Sequence, residues 1–457
     1  MIDMRRKIKW TIRIIIVLII GIILINKAIT NSRFKANFDT PKNRYEAWEQ
    51  DLTFFKDNYF KVCKSFPKDS VDKALILIDS IKNNINGLSD NKIQLLLSKC
   101  VSMANDAHTS VHFGKCNRIP LRFYLFDDGL FVIKVKRGFE EYLGYKVNRI
   151  SDKTISELIS IADSYMSGND SWNRYKSSYF LASPDFYEGI GLTQQSDSIK
   201  IEFVSNKDTI VNYLKSDKRT DYSDEYDSWR DLAITNTLIF DTTNWVHLKK
   251  DNSLLYLSKP NEPAFFTRID SIKALYVSVN TSTKISGFVK EIEQEIGKNN
   301  YQNLIIDFRL NGGGNYLQQA AFSKIIPKSF EGNIFIITGN GTFSAGICTV
   351  ARLKYYSGEK AVVIGQEVGD RLKFWAEGKQ FRLPNSRIRI RAATGYHDWQ
   401  NNNYIPFKSF WINIFFGVPA KDLSLDYKVK NTFADYKNGI DKVLSKITTL
   451  HNTQYSQ

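Results

Sequence analysis

The chain has 457 residues, 43% hydrophobic and 24% charged, an ordinary globular composition with room for roughly two to four domains. Its formal charge of +15 raises nucleic acid as a partner, but Arg5, Arg6, Lys7, Lys9, Arg13 and Lys27 crowd into the first 27 residues against Asp3 alone. No RNA- or DNA-binding motif follows, so nucleic acid is set aside and the remaining excess is read as solvated basic surface. The four cysteines, Cys63, Cys100, Cys116 and Cys348, lack zinc-ligand spacing, so no metal is expected; they are either buried thiols or include a bridge from Cys63 to Cys100 or Cys116.

The basic head leads into residues 14–25, which are almost pure Ile, Val and Leu. At about 1.5 Å per residue, a helix over residues 10–25 nearly crosses a hydrocarbon core of about 30 Å. Residues 26–30 offer no small-residue cleavage site and no lipobox cysteine, which favours an uncleaved anchor over a removed signal peptide. The excess of Lys and Arg then keeps the head in the cytoplasm and sends everything after about residue 30 across the membrane. The expectation is a single-pass cell-membrane protein with a periplasmic body.

From about residue 42 to 105 the apolar spacing is helical. Ile93, Leu96, Leu97, Cys100, Val101 and Ala104 fall on one face, and the pattern runs out into the cap and turn residues Asn105-Asp106-Ala107-His108-Thr109-Ser110. His108 therefore belongs to a loop that presents side chains. Residues 121–126 and 130–135 read as a hairpin around Asp127-Asp128-Gly129. A strand over residues 143–150, a polar turn and a helix starting at Ile155 resemble the centre of a PDZ domain. Residues 165–250 are aromatic, polar and weakly patterned, and read as mixed β and loop. From residue 273 strands and amphipathic helices alternate as β-α-β-α-β-α-β, which predicts an α/β domain with largely parallel pairing.

Two corners of that domain carry chemistry. The strand over residues 303–308 runs into Arg309-Leu310-Asn311-Gly312-Gly313-Gly314, where converging backbone N–H groups can hold an oxyanion or where glycines simply serve packing. The next strand leads through Gly339-Asn340-Gly341-Thr342-Phe343 to Ser344 at a helix start, so Ser344 is either a nucleophile or a helix N-cap. The elbow pattern G-x-S-x-G is not met, because position 342 is Thr. A serine nucleophile needs a base, and His108 is the best placed of five histidines, with His397 the competitor, itself otherwise a surface-loop residue. The His108 and His112 pair has zinc-ligand spacing, but Thr109 stands where H-E-x-x-H needs Glu.

Together these motifs resemble the S41 peptidases, the tail-specific or C-terminal processing proteases that include the tricorn core protease, over residues 42–447. Asn303-Leu304-Ile305-Ile306-Asp307-Phe308-Arg309 with Asn311-Gly312-Gly313-Gly314 is similar to the family's "LIIDLRxNGGG". Thr342-Phe343-Ser344-Ala345 is similar to its nucleophile segment "TFSSA". Val362-Val363-Ile364-Gly365-Gln366-Glu367, Leu383-Pro384-Asn385-Ser386, Gly417-Val418-Pro419 and Gly439-Ile440-Asp441 follow in order. Asp106-Ala107-His108-Thr109 resembles the "DGHT" of the subgroup that takes its base from the N-terminal helical domain.

The resemblance implies an α/β catalytic domain of the ClpP/crotonase type over residues 251–457 and a PDZ-like and mixed β region over 119–250. Before these it implies an N-terminal helical domain over 31–118, after a head and anchor over 1–30. It also implies cofactor-free hydrolysis of protein or peptide substrates, with recognition of C-terminal tails. Ser344 would be the nucleophile, His108 the base, and Gly313, Gly314 and Ala345 the oxyanion hole. The lysine of the Ser-Lys branch should fall near position 371, which holds Arg371, a group that does not deprotonate in water. The tricorn-type carboxylate has no counterpart at Asn413, Ile414 or Phe415, which leaves Asp106 as the local guess for orienting His108. The alternative is a non-catalytic binding protein that retains the fold.

Overall fold

The computed structural model describes residues 37–112, 116–205, 208–217, 244–249 and 253–455. The apolar run at 14–25 lies outside them, and among the described residues no helix is long and apolar enough to cross a membrane.

Three helices come first: Arg44–Val62, Lys68–Asn83 and Asp90–Ser102. Asn43 and Ser89 begin the first and third in extended backbone, each accepting a hydrogen bond from an N–H of the first turn. Their apolar faces bury Leu52, Phe55, Ile78, Ile93 and Leu97 in one cluster, where each fully buried Leu or Ile contributes roughly 1.5–3 kcal/mol relative to exposure. That cluster also contains Phe381, Leu383, Ile388 and Ile390 from far along the chain. Strand Ser110–His112 pairs antiparallel with Arg389–Ala392, Ser110 opposite Arg391 and His112 opposite Arg389. The buried Asp51 carboxylate accepts from the N–H groups of Asn385 and Ser386, both at 2.8 Å. Through these joints the helical unit and the loop that leaves it are fixed to the C-terminal half.

An antiparallel unit follows. The hairpin Leu121–Phe126 with Gly129–Lys136 forms as the Asp-Asp-Gly turn predicts, Phe126 opposite Gly129. Lys146–Ile150 leads into helix Ile155–Asp163 through a capping box between Thr154 and Glu157. Strands Ser198–Val204 and Thr209–Lys215 extend the sheet, and the short strands Lys153–Thr154 and Trp245–His247 bring it to seven. The stretch expected to be β and loop also holds two helices, Asp170–Leu181 and Pro184–Gly189. The first was hidden because its buried face mixes Asn173, Ser177 and Ser178 with Trp172, Phe180 and Leu181, which blurs the apolar period.

The predicted β-α-β alternation is present as a six-stranded sheet. Strands Tyr427–Lys428, Ala361–Gly365, Asn333–Thr338, Asn303–Asp307 and Ala274–Val279 lie side by side in parallel, and Ala264–Ile269 closes the far edge antiparallel. Every residue of Ala274–Val279 and of Asn303–Asp307 is buried, as strands covered on both faces require. Helices Phe288–Lys298, Ala320–Lys328 and Ala345–Ser357 make the crossovers. All four cysteines are buried, and Cys63 forms no disulfide.

Candidate active site

Ser344 lies where strand Asn333–Thr338 turns into helix Ala345–Ser357, with φ 54° and ψ −122°. An N-cap takes extended backbone and accepts a bond from the first turn, whereas Ser344 has left-handed backbone and makes no side-chain cap bond. Holding a non-glycine residue there costs about 1–3 kcal/mol, which the surroundings must impose.

Asn311 does so. Its carbonyl accepts from Phe343 N (2.9 Å), its side-chain carbonyl accepts from Gly313 N (3.0 Å) and Ser282 Oγ (3.1 Å), and its amide donates to Val279 O (3.0 Å). A Cβ on Gly346 would stand 2.7 Å from Asn311 O, and one on Gly313 would stand 2.7 Å from Ser344 Cβ. The two corners therefore touch only because both positions are glycine. Thr342, which broke the elbow pattern, ties the turn instead: its hydroxyl donates to Phe308 O and accepts from Gly339 N.

Behind the corner, Arg309 bonds to Asp307 (2.5 Å) and Asp441 (2.7 Å) and lies 3.8 Å from the centre of the Tyr256 ring. Tyr276 donates to Asp307 as well. A paired, mostly buried cation of this kind fixes the strand end, and removing one partner of such a pair typically costs about 3–5 kcal/mol.

Of the three groups expected to form an oxyanion hole, Gly313 is already engaged, because its N–H donates to Asn311. Its role is to leave space. The N–H groups of Gly314, at φ 137°, and of Ala345, at the positive end of its helix, make no hydrogen bond among the described residues.

His108 reaches this corner. Its ring stacks on Phe343, the residue before Ser344, with centroids 4.4 Å apart, and on Phe374 at 5.2 Å. It is 2% exposed and neither ring nitrogen has a hydrogen-bond partner. Burial, then the charges of Arg391 and His397, hold its pKa well below 6.5, so the imidazole is neutral at pH 7.

Asp106, the local guess for orienting the ring, acts on the backbone. Its carboxylate accepts from the N–H groups of His108 (3.1 Å) and Trp375 (2.6 Å). The carboxylate that faces the ring belongs to Asp370, whose Oδ2 lies 3.8 Å from His108 Nδ1 and has no hydrogen-bond partner. Sequence reasoning missed it; the signal was its place beside Arg371, in the segment where the resemblance puts a lysine. Arg371 itself is exposed, donating to the backbone and side-chain oxygens of Asn105 at 2.9 and 3.1 Å. Burial raises the pKa of both Asp106 and Asp370, and the Asp370 charge raises Asp106 further. With His108 they form the one group among the described residues whose atoms could gather round a metal, within 4.8 Å of one another. Both Asp106 oxygens are already committed to backbone donors.

The structure does not bring the other histidines to Ser344. His397 is not on a surface loop: it lies in strand Gly395–Asp398, buried beneath Phe374, with ring centroids 4.9 Å apart. His112 does not join His108; its Nε2 lies 3.2 Å from Ser110 Oγ. Asn413, where a carboxylate was sought, is buried and donates to Asp398 O.

No protein-family model matches the chain, and no curated protein matches it in sequence. Solved structures do match. The chain is similar to mature CPAF at 13% identity and a TM-score of 0.59, over 90% of this chain and 98% of that one. Against mature CPAF complexed with lactacystin the values are 14% and 0.58, over 89% and 98%. CPAF is an S41-family serine peptidase, and the fold of this chain is the S41 peptidase fold that the motifs implied.

Proposed function

We propose that this protein is a serine peptidase that cleaves protein or peptide substrates through an acyl-enzyme on Ser344, with His108 as general base and Asp370 as the group that positions it. The observation that carries this reading is the left-handed backbone of Ser344, held without any capping bond, with a neutral, buried imidazole stacked on the adjoining Phe343. Ser344 Oγ would attack the scissile carbonyl carbon while His108 Nε2 takes its proton, leaving Nδ1 toward Asp370. The same proton would pass to the leaving amine, and water activated by His108 would release the acyl group. The oxyanion would be met by the N–H groups of Gly314 and Ala345 and by the dipole of helix Ala345–Ser357.

We further read residues 14–25 as the membrane anchor, which would place the body and its substrates outside the cytoplasm. We read the antiparallel unit as PDZ-like, binding substrate tails. Support for tail binding is the strand Thr209–Lys215, whose outer edge pairs with no other strand among the described residues and which leaves Val211 and Tyr213 exposed. A fluorophosphonate probe tests the chemistry. It should label the wild-type protein at Ser344 and leave the Ser344→Ala protein unlabelled; an unlabelled wild type would favour a binding protein that keeps the fold.

A further inference from the structure

A cavity lies near the His108 loop, between helix Asp170–Leu181 and strand Ser110–His112, with about 780 Å³ of space that includes open solvent. Ala107 and Thr109, the neighbours of His108, line it. So does Trp172, whose ring also stacks on Phe343 at 4.1 Å. Val101, Val111, Met166 and Phe180 make much of its wall apolar.

Its charges are of one sign. Lys176 and Arg389 line it, and no Asp or Glu does among the described residues. Lys176 meets no carboxylate and donates no hydrogen bond among the described residues; its Nζ sits 5.0 Å from the centre of the Trp172 ring. Desolvation, then the charge of Arg391, pushes this ammonium down to about 8. Burial and the cations Lys176, Arg389 and Arg391 push neighbouring His112 down to about 3, so no imidazolium adds to the set at neutral pH. Lys176 is half-buried, and a partly desolvated ammonium without a counter-charge is costly, a cost that a bound anion would offset.

We propose that this cavity is a recognition site for an apolar group bearing a carboxylate, with Lys176 and Arg389 receiving the negative end. The carboxylate could come from a chain terminus or from an acidic side chain. Because the cavity shares Trp172 with the Phe343 stack and is flanked by the residues on either side of His108, an occupant there would lie next to the reacting centre.

The test is binding rather than turnover, made on the full-length Ser344→Ala protein, so failure of the peptidase reading would not touch it. N-acetyl-leucine, N-acetyl-leucinamide and N-acetyl-glutamic acid α-amide are titrated by calorimetry. At least one of the two acids should bind, at least tenfold more tightly than the uncharged amide, and the tighter acid identifies the source of the carboxylate. Lys176→Met should weaken that acid about ten- to a hundredfold, as loss of a charged hydrogen-bond donor does, and Lys176→Arg should retain it. Equal affinity for acid and amide, no binding of either acid, or unchanged affinity in Lys176→Met would overturn the proposal. The contrast between acid and amide needs no substitution, so it stands even if a variant fails to fold.

Discussion

The corner that holds Ser344 and the loop that holds His108 meet at one stack of rings but are built in different ways. The Ser344 corner is assembled within the parallel sheet from two successive strand ends, 309–313 and 338–346, with glycines admitting the close approach and Asn311 tying the pieces. The His108 loop arrives from another unit and is held by remote partners: the pairing of Ser110–His112 with Arg389–Ala392, the bond from Trp375 N to Asp106, and the stack on Phe343 and Phe374. A corner made from neighbouring strand ends tolerates loss of one side chain. A loop fixed by distant contacts couples the position of the base to the packing of the whole molecule.

Substitution at Ser344 should separate the two constructions most widely. Ser344→Ala should abolish turnover and leave stability nearly unchanged, because no capping bond is lost. Ser344→Gly should be equally inactive yet more stable by about 1 kcal/mol, since glycine adopts φ 54° without strain. Chemical denaturation beside a peptidase assay reads both; a loss of about 0.5–2 kcal/mol in Ser344→Ala with retained turnover would restore the N-cap reading.

Next in size is the base. His108→Ala should lose activity nearly as completely as Ser344→Ala, and the double variant should be no worse, because members of one catalytic unit are strongly non-additive. Unlike the serine change, it should also lower stability, by roughly 2–4 kcal/mol, since it removes a fully buried ring from between two others. Near-normal turnover in His108→Ala would mean that the loop is packing alone.

Asp370→Asn should lower kcat by roughly 10²–10⁴ at pH 7, the effect of a misplaced or wrongly protonated imidazole. The pH profile sharpens this. A base with an ordinary imidazole value would lose activity as pH falls through 6.5, whereas the depressed pKa of His108 should hold the wild-type rate level there and move the fall well below 6.5. Stability has the same sign for this group. Below pH 6.5 the unfolded chain takes up a proton that folded His108 refuses, so its contribution is full above that value and declines as pH drops. A wild-type midpoint at or above 6.5 would contradict the buried, neutral ring.

The sequence revealed the corner better than the loop for the same reason. Alternating strands and helices leave a periodic mark, and the glycines at 312–314, 339 and 341 lie in connections that a local pattern can show. The strained backbone of Ser344 was not legible, because Thr342 broke the pattern that signals it and tied the turn through a hydroxyl instead. Nor was Asp370, since a carboxylate that faces a ring from a distant segment has no spacing to betray it. Helix Asp170–Leu181 had a start signal in Asn169, which accepts from Trp172 N, but its half-polar buried face concealed the rest. Asp106 was drawn to the right loop by proximity and given the wrong task, because adjacency in sequence does not say whether a carboxylate meets a ring or a backbone N–H.

The smallest effect should come from Arg371, the position where a Ser-Lys peptidase would carry its base. The side chain is exposed and, among the described residues, bonds only to Asn105, at the root of the His108 loop. Losing those bonds should loosen the loop slightly: Arg371→Ala should cost less than about tenfold in kcat/KM and about 1 kcal/mol or less in stability, as for other exposed charged contacts. Arg371→Lys asks the harder question. If the base belonged to this segment rather than to His108, a lysine here would restore turnover to His108→Ala. The engagement of Arg371 with Asn105 predicts that the His108→Ala, Arg371→Lys double variant stays as inactive as His108→Ala alone at every pH up to 10, where a lysine is partly deprotonated. Recovery of activity on the alkaline side would show that the corner can recruit a base from its own half of the molecule, and the separation between corner and loop would fail at the point where it matters for catalysis.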